Sequence, residues 1–137
     1  MSDPHPPIWI GGNSARSRQR VADHGNGWAP FPAVPDVART ARTAPLDTAQ
    51  ALAAAVDDLH ARLDAAGRDP HGIDICFSTD VGGDPASDAF DVDACLEALV
   101  ALAAIGVTWV QVALPGDDLS RALATLERYG EQVIARA

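Results

Sequence analysis

Gly11, Gly12, Asn13 and Ser14 stand between the apolar run Ile8–Ile10 and a stretch that begins a helix, a place where backbone groups alone can hold an anion. Glycine lets the chain turn sharply and approach another group closely, while Asn and Ser cap the helix that follows. The free N–H groups there and the positive end of the helix dipole, roughly half a unit charge, favour phosphate. The phrase satisfies neither G-x-G-x-x-G nor the Walker A spacing. It reads as a phosphate cradle, with the Ser14 hydroxyl and the charge of Arg16 or Arg18 assisting, or as a plain tight turn. Trp28, just after Gly27, offers a flat wall for a cofactor pocket or a filler for the core. Trp9 reads as packing against helices. Ser78, Asp80 and Gln111, at the ends of two later apolar runs, are polar enough to face a common mouth.

Other chemistries find little footing. His5, His24, His60 and His71 lack the i, i+4 pairing or carboxylate spacing of a metal centre, and none neighbours a Ser or Cys as a triad would suggest. The sequence predicts no metal and no covalent nucleophile. Cys76 and Cys95, in apolar surroundings, read as buried hydrophobes rather than a disulfide.

Four βα units must position these residues. The first pairs a strand Ile8 to Gly11, buried on both faces, with a helix from about Ser14 to His24. The second has a short strand near Gly27 to Pro30, a loop through Pro32, Pro35 and Pro45, and a helix from about Leu46 to Ala66. Leu52, Val56, Leu59 and Leu63 form its apolar stripe and Gly67 its C-terminal cap. The third strand is Ile73 to Thr79. Its helix carries Val92, Cys95, Leu96, Leu99 and Leu102 and closes at Gly106. The fourth strand runs from Val107 to Leu114, and Leu119, Leu123, Leu126 and Val133 give the last helix its buried face. Such alternation predicts an α/β fold with a parallel sheet covered by helices.

A chain of 137 residues suits a single domain, 1–137. The net charge of -9 argues against a nucleic-acid groove or an anionic membrane surface. From Ala98 to Leu114 there is no charged residue, approaching the ~20 apolar residues of a membrane span. Gly106 and the change from Ala/Leu to Val/Thr/Trp favour a helix, a break and a strand instead. With Asp3, His5 and prolines ahead of any apolar stretch, no signal peptide is read, and a cytoplasmic protein is expected.

The phrases Pro7-Ile8-Trp9-Ile10-Gly11-Gly12-Asn13-Ser14, Arg20-Val21-Ala22 and Gly25-Asn26-Gly27-Trp28 together resemble the bacterial luciferase-like monooxygenase family. The similarity is greatest to its deazaflavin-dependent branch, which uses coenzyme F420. Ala65-Ala66-Gly67-Arg68-Asp69-Pro70 and Ile105-Gly106-Val107-Thr108-Trp109-Val110 extend it. The sequence departs from the family pattern at Asn26, usually Asp, and in the Pro-rich loop after Pro30.

The resemblance implies the C-terminal half of a (β/α)8 barrel, since a whole barrel takes about 250 residues and the Gly-Gly phrase lies near its fifth strand. It implies a cofactor, F420 or alternatively FMN, with its phosphate among Gly11, Gly12, Asn13 and Ser14 and Trp28 beside it. It further implies hydride transfer to or from a small organic substrate, or, with flavin, monooxygenation. The family's proton-transfer residues come largely from the first four strands, so no catalytic acid or base is assigned. A half-barrel leaves two sheet edges and an inner face uncovered, which implies a homo-oligomer, a complementing half-barrel chain, or a non-catalytic module that binds a phosphate-bearing ligand or self-associates.

Overall fold

The computed structural model describes residues 6–137. Asp3 and His5, on which the signal-peptide reading rested together with the prolines, lie outside them. The strands β1 (Trp9–Gly11), β2 (Gly27–Ala29), β3 (Asp74–Ser78) and β4 (Trp109–Gln111) form one sheet in the order β1-β2-β3-β4. Parallel pairing sets Trp9 beside Gly27, Ile10 beside Trp28, and Gly27 beside Asp74. Between and after the strands come α1 (Ala15–His24), α2 (Pro35–Thr40), α3 (Ala49–Ala65), α4 (Val92–Ile105) and α5 (Leu119–Gln132). The α/β class and the four-stranded parallel sheet agree with the alternation in the sequence. The chain divides into two compact units, one up to Phe77 with Ile105–Trp109, the other Ser78–Ala104 with Val110–Ala137.

In the first unit α1 and α3 pack together. Ser14 caps α1 by accepting from the Ser17 N–H, and Thr48 caps α3 from the Ala51 N–H. Leu52, Val56, Leu59 and Leu63 are buried as their spacing requires, each contributing about 1.5–3 kcal/mol. At the far end of α3, Gly67 adopts φ +68°. Its N–H donates to the Asp64 carbonyl and that of Arg68 to the Leu63 carbonyl, the paired bonds of a Schellman cap. Arg68 also reaches the end of α1, its guanidinium donating to the carbonyls of Val21, Ala22 and Gly25.

The sheet is covered on one face only within this unit, which corrects the expectation for β1. Trp28 and Ile75 are fully buried, whereas Trp9 lies on the opposite face, is 39% exposed, and does not pack against helices. Its ring covers Gly27, where an added Cβ would stand 2.6 Å from the indole. It meets Trp109, 56% exposed, edge to face at 5.9 Å, and the Trp109 indole N–H donates to Asp74. Alternation along a strand separates two faces without saying which is covered.

The long loop after β2 is also more ordered than expected. Pro35 occupies the first turn of α2 with Asp36 beside it, a pairing that starts helices well. Leu46 is not helical but bridges Ala33 in an antiparallel contact, so the next helix begins at Ala49. Gly106, at φ +109°, ends α4 and separates it from β4, dividing the uncharged run as its change of period implies. Among the described residues no helix is long and apolar enough to cross a membrane.

The second unit is built on Cys95, Tyr129 and Val133, with Phe90, Val92, Leu96, Leu99 and Val112 packed around them. Here the expected face of α5 is corrected. Leu119, Leu123 and Leu126 are 76%, 52% and 49% exposed, while Thr125 and Tyr129 are buried ahead of Val133. At 100° per residue the two sets are neighbouring stripes of one broad apolar sector, and the half carrying Tyr129 is the one covered.

Candidate functional site

The turn between β1 and α1 is held in place by its own residues. Gly12 takes φ +99°, a conformation L side chains rarely adopt, and its carbonyl accepts the Trp28 indole N–H at 2.9 Å. Asn13 is buried and fully partnered. Its amide donates to the carbonyls of Phe31 (2.9 Å) and Ala44 (3.1 Å), its side-chain oxygen accepts from the Phe31 N–H, and its backbone N–H donates to the Thr43 hydroxyl. Asn13 thus ties the turn to the loop that follows β2.

These bonds decide which groups remain for a ligand. The Gly12 N–H points to the Ala29 carbonyl at 3.4 Å and the Asn13 N–H is engaged by Thr43, so neither is free. Gly11 ends β1 beside Ala29. What remains is the Ser14 hydroxyl, 3.0 Å from that of Ser17, and the N–H groups of Ala15 and Arg16, which by helix geometry have no intrahelical acceptor. The donors left unengaged therefore lie at Ser14 and the first turn of α1 rather than inside the glycine pair. Trp28 serves this place from below, since it is fully buried and its indole fixes the Gly12 carbonyl. Of the two arginines, Arg16 is exposed, whereas Arg18 lies over the Trp28 ring at 5.8 Å and is committed to Asp58 and the Asn13 carbonyl.

Asp58 collects two guanidinium groups, Arg18 at 2.6 Å and Arg62 at 2.8 Å. The hydrogen bond from Arg62, followed by that from Arg18, outweighs partial burial and holds its carboxyl below the usual carboxylate range. This is a clamp between α1 and α3 in which the carboxylate is engaged by both guanidinium groups.

The polar residues at the strand ends behave differently. In the second unit, Asp80 and Gln111 line one cavity of about 460 Å³, with Asp84, Phe90, Cys95 and Tyr129. Ser78 ends β3 but is not among its lining residues. The loop that walls this cavity turns at Gly82 and Gly83, both at positive φ, and a Cβ on Gly82 would stand 2.6 Å from the Asp91 carbonyl. The Tyr129 hydroxyl lies 3.9 Å from the Cys95 sulfur. Burial, and then the Cys95 contact, push it up to about 12.

Among the described residues no three His, Cys, Asp or Glu side chains are gathered as a metal site. His60 and His71 pair ring against ring at 5.8 Å, and Cys76 and Cys95 are free thiols. Burial raises Cys76 above the ordinary thiol range, which keeps it protonated.

Sequence reading missed the partners of Asn13, because Phe31, Thr43 and Ala44 lie 18 to 31 residues away with no local pattern to mark them. It also missed Phe90 and Tyr129 as cavity walls. The pair Gly82-Gly83 just after Asp80 was the available signal. No family model and no curated protein matches the chain.

Proposed function

We propose that this chain supplies four βα units of a luciferase-like (β/α)8 barrel and that the turn after β1 seats the phosphate of a deazaflavin or flavin cofactor in an oxidoreductase. The observation that carries this reading is the strand order. In a doubly wound sheet the order reverses at a switch point. A β1-β2-β3-β4 order, with β1, β2 and β3 paired in parallel, adds each strand on the same side, and in the first unit right-handed crossovers place α1 and α3 on one face. The bare face bearing Trp9 and Trp109 corresponds to the inside of a barrel that four further units would close.

When bound, the cofactor would supply hydride transfer with a small organic substrate. Ser14 would donate its hydroxyl to the phosphate, and Ala15 and Arg16 their N–H groups, while Trp28 and Asn13 keep the turn in shape beneath it. General acid and base groups belong, on this reading, to the complementing half.

A second reading has its own support. Because Gly12 and Asn13 already spend their N–H groups within the chain, the turn serves equally a non-catalytic module that associates through its bare face.

The test is titration with coenzyme F420 and with FMN, followed by fluorescence, on the parent and on Ser14→Asp. Gly12→Asp is unsuitable, since a side chain at φ +99° is strained and its Cβ would stand 2.9 Å from the Ser17 hydroxyl. Aspartate at position 14 caps α1 as well as serine does but sets a negative charge against the phosphate. Saturable binding by the parent, lost in an equally stable Ser14→Asp, is expected. Binding unchanged by the substitution would remove the cradle, and no binding of either cofactor by the folded chain would leave the module reading.

A further inference from the structure

The cavity of the second unit carries a chemistry opposite to that of the βα turn. Its charged lining consists of two carboxylates, Asp80 and Asp84, with no arginine among the lining residues. The Asp80 carboxylate has no hydrogen-bond partner among the described residues, and Asp84 spends one oxygen on the Ala86 N–H. Arg128, which donates to the carbonyls of Pro85 and Ser87 and faces Asp88 at 3.7 Å, makes no ion pair with either carboxylate among the described residues.

Behind that acidic rim the lining is apolar. Phe90 and Tyr129 stand 6.1 Å apart with their planes tilted by 36°, and Cys95 and Val112 complete the wall. At about 460 Å³ the space falls within the range of small-molecule sites. It lies where β3 and β4 end, the end of a parallel sheet at which ligands bind.

We propose that this cavity binds a small organic amine, with its ammonium group between Asp80 and Asp84 and an aromatic body against Phe90 and Tyr129. Gln111, exposed on the rim and with no side-chain partner among the described residues, offers a carbonyl to a second ammonium proton. The aromatic faces favour a cation nearby, and the unpaired carboxylates reject phosphates and carboxylic acids. This site stands independently of the cofactor reading.

The experiment titrates the full chain with tryptamine and with indole-3-acetate, which share a ring and differ in charge, and follows backbone amide shifts. Tryptamine should bind saturably with shifts centred on Asp80, Gln111 and Tyr129, and indole-3-acetate should not. Asp80→Asn should weaken tryptamine by about three- to tenfold, while Asp57→Asn, an exposed carboxylate of the other unit, should leave it unchanged. Equal affinity for the two indoles, shifts mapping elsewhere, or no binding by protein whose circular dichroism shows it folded would each overturn the proposal.

Discussion

Tyr129 shows how a single buried hydroxyl sets a limit on the conditions the fold tolerates. Its ionisation is pushed up to about 12 by burial and by Cys95, whereas an unfolded tyrosine ionises near ~10. Below about pH 10 both states keep the proton and the full stability is present. Between about 10 and about 12 only the unfolded chain releases it, so stability falls as pH rises. Urea unfolding of the parent at about pH 8 and about pH 11 should show this loss, and Tyr129→Phe should reduce it, leaving the share of Cys76, whose thiol burial also raises. An undiminished alkaline loss in the variant would assign it to another group. The contact to Cys95 is long, so at neutral pH the substitution should cost under about 1 kcal/mol.

At the scale of elements, α5 is the one whose surface asks for a neighbour. Leu119, Leu123 and Leu126 form an exposed apolar stripe at helical spacing. Replacing Leu123 by Glu should change the stability of the isolated chain by less than about 0.5 kcal/mol, since the side chain is already 52% exposed. It should also reduce self-association in sedimentation velocity. A loss of several kcal/mol would place that stripe inside a core.

What the sequence revealed and withheld divides along the same physics. The stripe of α3 was legible because Leu52, Val56, Leu59 and Leu63 are separated from polar neighbours by helical period alone, and Gly67 marked its end. On α5 the apolar sector is wider than the face the fold can cover, so period could not say which half is buried. Trp9 and Trp28 look alike in apolar surroundings, yet the register Ile10 to Trp28 sets them on opposite faces. Ser14 was readable as a cap from its place before α1. Asn13 was readable as a turn residue, but its role as a tie to Phe31, Thr43 and Ala44 depends on distant backbone.

At the scale of the whole molecule, two forces oppose each other. The bare face with Trp9 and Trp109, and the open sheet edges, favour association, while a net charge of -9 repels like copies. If that face drives assembly, light scattering should report a mass that grows with salt, because screening shortens the reach of the repulsion from about 10 Å at 0.1 M to about 3 Å at 1 M. Trp109→Ser should blunt the effect. A monomer at every salt concentration would mean that the exposed indoles do not by themselves bring copies together.

The reach of Arg68 back to Val21, Ala22 and Gly25 also sets a clock on synthesis. The end of α1 is satisfied by a residue 43 positions downstream of Gly25. At ribosomal speeds of about 5–20 residues per second, roughly 2–9 s separate the making of Gly25 from that of its guanidinium partner. Throughout that interval the carbonyls of Ala22 and Gly25 have only water, while that of Val21 keeps the Gly25 N–H. The first βα unit therefore waits, frayed at its C-terminal turn, until the second has been translated far enough to fasten it.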